Sequence, residues 1–188
     1  MGPIEMLWGT LILVFILVTL IRGYTRELGI TVLLLLVLFV ELYFGTRIEA
    51  LLRQKVFGQV FRLLNVNPSK EFENFLLVMV YVGLLILVLY IGYEGRSLTF
   101  PGTPKKGLEG ALISTFIGAV NGWLFTGTLW YYLDKYHYPY LVKWGLLTTT
   151  WTDRAKVLMK YLPPKLFEPK PEVLAVFAAV LIFISVRR

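Results

Sequence analysis

Long uncharged apolar runs alternate with short polar stretches along the chain. The first runs from Met6 to Ile21 (MLWGTLILVFILVTLI), the second from Leu28 to Gly45 with one interruption at Glu41, and the third from Asn74 to Tyr93. A fourth covers Gly110 to Leu133 and a fifth Val173 to Val186. At 1.5 Å per helical residue the third is long enough for a hydrocarbon core of about 30 Å, and the longer fourth spans with tilt. The pattern predicts an all-α membrane protein with four to five transmembrane helices in a single membrane domain. Met6–Ile21 follows an acidic Glu5 and has no small-residue cleavage site before Arg22. It therefore reads as a retained span anchored by Trp8 rather than a signal peptide. Residues 173–186 supply only about 21 Å of helix. Pro171–Glu172 before them and Arg187–Arg188 after them look like wet anchors and favour a span over a re-entrant arm or a surface helix.

Two polar pieces lie between the runs. Residues 46–65 (TRIEALLRQKVFGQVFRLLN) carry Ile48, Leu51, Leu52, Val56, Val60, Phe61 and Leu64 at helical spacing, with Arg47, Arg53, Lys55 and Arg62 between them. That is an amphipathic helix, placed either on the membrane surface or against the protein's own spans. Asn67-Pro68-Ser69 breaks the chain after it. Residues 134–170 are rich in Tyr and Trp, as an interfacial belt is. Within them 151–162 (WTDRAKVLMKYL) reads as a short amphipathic helix, with Thr152 or Asp153 available as a cap and a stop at Pro163–Pro164.

Composition agrees with a bilayer. The chain has 188 residues, 57% hydrophobic and 16% charged, against about 45–50% and about 25% in soluble domains. Net charge is +7, and the 19 Lys and Arg sit almost wholly between the apolar runs, which points to lipid head groups and not to a nucleic-acid face. With Arg47, Arg53, Lys55, Arg62 and Lys70 joined by the basic residues of 135–170 on one side, the positive-inside rule favours a cytoplasmic N-terminus, whereas Arg22 and Arg26 in their tight turn and Arg187–Arg188 beside their span favour the opposite orientation. There is no cysteine and one histidine, His137. This inventory assembles no catalytic pair, no metal set and no cofactor site. Gly102–Gly107 mimics a phosphate loop, but its spacing is wrong and Pro104 removes a donor.

Three places stand out. In the turn after the first span, Gly23 allows a tight reversal, and Arg22 and Arg26 can reach phosphate head groups or a partner carboxylate. Glu27 adds a counter-charge there and complements the helix N-terminus. Glu41 is the acidic residue inside an apolar run: it either marks a functional site or reaches the nearby interface. In the fourth run Gly110, Ser114, Gly118 and Gly122 recur every four residues and form a smooth face for helix packing. Asn121 lies beside that face and should seek an interhelical hydrogen bond. His137 reads as a solvated interfacial side chain.

The Arg22-Gly23-x-x-Arg26-Glu27 turn, followed by Lys105-Lys106-Gly107-Leu108-Glu109 leading to Ser114, Gly118 and Gly122, resembles the colicin V production protein (CvpA) family. A Leu162–Pro163 pair matches a Leu-Pro near the end of that family's tail. Ser114 replaces a glycine, Asn121 stands where the family often carries a basic residue, and residues from Val173 onward extend the usual four-span plan. The resemblance covers roughly residues 5–165. It implies a protein of the bacterial inner membrane, linked to colicin V export and envelope homeostasis. The expectation is a non-enzymatic scaffold or assembly factor whose partners are membrane lipids and other membrane-protein subunits or itself, with no nucleic acid. An accessory subunit of a larger energy-converting or secretion complex, or a small channel or transporter, are the other readings.

Overall fold

The structure is a computed structural model, and it describes residues 4–94, 100, 107–147 and 151–186. Lys105, Lys106, the phosphate-loop mimic before Gly107, and the Arg187–Arg188 anchor lie outside them. Among the described residues the chain is all-helical, with eight α-helices: α1 Ile4–Arg22, α2 Tyr24–Leu51, α3 Gly58–Leu63, α4 Lys70–Glu94, α5 Gly107–Lys135, α6 Asp153–Lys160, α7 Pro163–Phe167 and α8 Glu172–Val186. A π-helical stretch, Leu52–Phe57, joins α2 to α3. Among the described residues, four helices are long and apolar enough to cross a membrane: α1, the continuous α2–α3 rod, α4 and α5.

Gly23 makes the reversal between α1 and α2 at φ 85°, a left-handed conformation that side chains disfavour. α1 and α5 then run antiparallel in close contact. A Cβ on Gly118 would lie 2.7 Å from the Ile16 Cα, and one on Gly122 would lie 2.9 Å from the Ile12 Cα. The smooth face of α5 is thus occupied by α1 of the same chain. α4 is antiparallel to α2: its Gly92 meets Ile30, and its Tyr81 hydroxyl donates to the Gly45 carbonyl at 3.2 Å. Every long helix therefore has one end near Gly23 and the other near Lys135.

Of the amphipathic helix read at 46–65, residues 46–63 prolong the second span as one continuous rod and pack on the protein's own helices through Ile48, Leu52 and Phe61. The π-helical stretch explains how. Ile48, Leu52, Phe57 and Phe61 face inward, at steps of four, five and four. A regular α-helix would rotate Phe57 out of line, and the wider π turn absorbs the extra residue. Phe57, Phe61 and Phe72 then form a ladder with ring centroids 6.3 and 6.0 Å apart. The opposite stripe, Leu51, Val56, Val60 and Leu64, stays exposed.

The core has an aliphatic half and an aromatic half. Ile30, Leu34, Leu38, Leu85, Leu124 and Leu174 fill the first, and Tyr81, Trp130, Tyr132, Tyr136 and Tyr138 the second, nearer Lys135. Thr152 caps α6, accepting from the Ala155 amide at 3.1 Å. After α6 the chain buries Leu162, Pro163 and Pro164. The Trp123 indole donates to the Tyr161 carbonyl at 3.1 Å, and a Cβ on Gly127 would meet Pro163 at 2.4 Å. Gly127 lies about 12 Å of helix before the end of α5, so the Leu162–Pro164 corner enters the bundle. Proline suits that depth because it leaves no amide to satisfy. α8 packs on α2; at 15 residues it is shorter than a full crossing.

Leucine at Gly118 or Gly122 must push α1 off α5, because the obstructing atoms are backbone. Either variant should lose about 1–3 kcal/mol or more, read as a lower thermal unfolding midpoint in detergent. Gly83→Ala, where a Cβ meets nothing within 4 Å, should leave the midpoint unchanged or slightly raised.

Candidate functional site

Two polar clusters sit inside the apolar bundle. The first is built around Glu27, one turn into α2 and 0% exposed. Arg22, at the end of α1, places its Nε 3.2 Å from Glu27 Oε1. The pair is not aligned as a hydrogen bond, so its attraction is chiefly charge on charge. From α4 the Tyr93 hydroxyl donates to Glu27 Oε2 at 3.2 Å, and its ring lies 4.5 Å beneath the Arg22 guanidinium. From α5 the Asn121 amide donates to the Glu27 carbonyl at 3.1 Å and approaches Oε2 at 3.5 Å. The Thr31 hydroxyl donates back to Asn121 Oδ1 at 2.7 Å. Four helices are thereby tied at one point, and Asn121 uses both ends of its side chain.

This brings together Arg22, Gly23, Glu27 and Asn121 from the two sequence motifs. Glu27 turns inward rather than toward head groups, while Arg26 is exposed. Tyr93 and Thr31 were not foreseen; the signal was there in Thr31, four residues after Glu27 on the same helical face. Gly118 and Gly122 pack on α1. Gly110 and Ser114 are buried in α5 but line, with Arg22, Gly23 and Tyr24, a cleft of about 370 Å³ at the Gly23 end.

Glu41 forms the heart of the second cluster. It is 2% exposed, and α2 continues for ten residues beyond it, ending at Leu51. Among the described residues neither carboxylate oxygen has a hydrogen-bond partner. The Tyr132 hydroxyl of α5 is the polar group facing it, outside hydrogen-bond geometry. Tyr132 stacks on Tyr81 with centroids 4.2 Å apart and planes 6° from parallel, and Tyr136 continues the stack at 6.1 Å from Tyr81. The Tyr136 hydroxyl donates to Glu49 Oε2 at 3.1 Å. Glu49 is held in turn by Arg53 at 3.1 Å and Lys135 at 3.5 Å, and Arg53 reaches on to Glu73 at 3.1 Å and Asn74 at 3.0 Å. None of this tyrosine array was foreseen, although Tyr132 in the last turn of α5 and Tyr136 just beyond it stand four apart. His137 is exposed beside it, at a left-handed φ of 63°.

Beyond α5, burial pushes the phenols of Tyr136 and Tyr138 up; Tyr81 and Glu49 add to this at Tyr136, and Asp134 at Tyr138. Tyr138 also accepts from the Trp130 indole at 3.1 Å and donates to Asp134 at 3.2 Å.

Compared with known proteins, the chain matches no family model, and no curated protein or solved structure is similar to it. The likeness to CvpA accordingly stays with the motifs that carry it.

Replacing Asn121 by Leu leaves the Glu27 carboxylate short of a donor and Thr31 short of an acceptor. We expect a loss of about 1–2 kcal/mol, measured by thermal unfolding in detergent, and Thr31→Val should cost less. The raised phenols favour the neutral, folded form. Their contribution is complete below about pH 10 and disappears as pH climbs through the higher folded values. The unfolding midpoint should hold steady up to about pH 10 and drop above it, and Tyr136→Phe should flatten that drop.

Proposed function

We propose that this chain is a non-enzymatic, CvpA-like scaffold of a bacterial inner membrane. The single observation that carries this reading is how the bundle spends its polar and small residues. The Arg22–Glu27–Asn121–Tyr93 tie and the Gly118–Gly122 face both bind the chain to itself. What remains for the outside world is apolar helix surface and basic turns. On α1 that surface is Met6, Leu13, Leu17 and Leu20; on α8 it is Val176, Phe177, Val180 and Phe183. Faces of this kind engage lipid tails or the spans of a neighbour.

The Gly23 end supports a lipid role more specifically. Arg26 is exposed, and the cleft beside Arg22 opens next to the first turn of α5, where a helix N-terminus favours negative charge. An anionic head group fits both features. The resemblance to CvpA extends this picture to colicin V export and envelope homeostasis. The cytoplasmic side would be the Lys135 end, which gathers Arg53, Lys55, Arg62, Lys70 and Lys135.

Extraction in a mild detergent, followed by native mass spectrometry, tests the proposal. A small homo-oligomer carrying anionic lipid is expected, and Arg26→Gln should reduce the retained lipid without changing the oligomer. A defined set of foreign subunits would replace the scaffold reading with that of an accessory subunit. Lipid retention unaffected by Arg26→Gln would remove the head-group role.

A further inference from the structure

The two buried carboxylates of α2 are treated in opposite ways. Glu27 has a cation, a phenol and an amide around it. Glu41, about 21 Å further along the helix, has no ion pair and no hydrogen bond among the described residues. The groups that interact with it are phenols, Tyr132 from α5 and Tyr81 from α4. The other elements packed against α2 offer no compensating charge. Lys165 of α7 is engaged with Asp134 at 3.5 Å, Glu172 is the ionisable residue of α8 and stands at its first position, and Arg22 of α1 belongs to Glu27.

A carboxylate stripped of water and left without a partner inside a membrane is strongly disfavoured, and the neutral acid is the form such a place tolerates. A neutral acid at a fixed depth becomes useful when it has a hydrogen-bonding connection to water. Here a row of phenols lies on one side, between Glu41 and the rim of the bundle. Tyr132 stacks on Tyr81, the Tyr81 and Tyr136 hydroxyls are neighbours, and Tyr136 donates to Glu49 at 3.1 Å. Glu49 is partly exposed and lies about 12 Å of helix from Glu41. Arg53 and Lys135 flank Glu49, so it sits at the wet, basic rim of the bundle.

We propose that Glu41 is an intramembrane proton-binding site, filled and emptied from the Lys135 end through the hydroxyls of Tyr132, Tyr81 and Tyr136 and the carboxylate of Glu49. The inference is independent of the scaffold reading. In one exchange the Glu41 acid gives its proton to the neighbouring phenol oxygen while that phenol passes its own proton onward. The final proton lands on a Glu49 oxygen and leaves to water. One proton moves, only O–H bonds break and form, and no electron is transferred. The Tyr81 hydroxyl donates to the Gly45 carbonyl at 3.2 Å, so its part in the path requires it to turn from that acceptor.

Infrared spectroscopy of the full chain in lipid vesicles at neutral pH tests this directly. The expected result is a carbonyl band of a protonated carboxylic acid that is lost in Glu41→Gln and shifts after transfer to heavy water. Tyr132→Phe and Tyr136→Phe should keep the band and slow its shift. If Glu41→Gln removes no such band, Glu41 is ionised and the site is overturned. If the band shifts at the wild-type rate in both phenylalanine variants, the route is overturned. Should Glu41→Gln fail to fold, wild-type protein is treated with a hydrophobic carbodiimide and mapped by mass spectrometry. Modification of Glu41 that declines as pH rises supports the site, and an unmodified Glu41 refutes it.

Discussion

A charged carboxylate inside a bilayer is tolerable only if the protein itself replaces the water it has lost. Glu27 sets that condition for the whole bundle. Its partners come from α1, α4 and α5, so those helices cannot separate without exposing a buried charge to lipid. The close approach of α1 to α5 depends on it as well. Gly118 and Gly122 remove the steric obstacle, but two apolar helices in lipid gain little from mere proximity. Packing combined with a polar tie gives them a fixed register.

The aromatic half of the molecule follows a different logic. Tyr81, Tyr132 and Tyr136 bring polar hydroxyls into the interior on large apolar rings, a combination suited to the boundary between hydrocarbon and water. They lie between the basic rim around Glu49, Arg53 and Lys135 and the buried Glu41, and they occupy the side of the bundle where the Leu162–Pro164 corner is also buried. One end of the protein is therefore held by a single compact charge network. The other is held by a graded array that stays in touch with the aqueous side.

The spans were legible because hydropathy is a property of each residue and needs no knowledge of neighbours. The turn at Gly23 and the small-residue face of α5 were legible for a similar reason, since both are local patterns with a direct steric meaning. What occupied that face was not: nothing in Gly118-x-x-x-Gly122 distinguishes α1 of the same chain from a second protein. Residues 46–65 read as an amphipathic helix of their own because charged side chains from Arg47 onward end the apolar run, and hydropathy does not show that the backbone continues through that change with a π turn at Leu52–Phe57. The tie between Thr31, Asn121 and Tyr93 joins residues far apart in the chain. Sequence spacing carries no trace of that contact once the helices' rotations about their axes are unknown. Pro163–Pro164 read as a stop for the same kind of reason, whereas their burial depends on Gly127 leaving room for them.

The central claim is that Arg22 and the buried Glu27 act as one unit on which the helix arrangement rests. A double-mutant cycle on thermodynamic unfolding in bilayers or bicelles measures it most directly, with Arg22→Met, Glu27→Gln and the pair combined. Removing Arg22 alone strands a buried carboxylate, so the combined variant should be more stable than the sum of the single losses by upwards of about 1 kcal/mol. Losses that add to within about 0.5 kcal/mol would contradict the claim and show the two side chains to be independent.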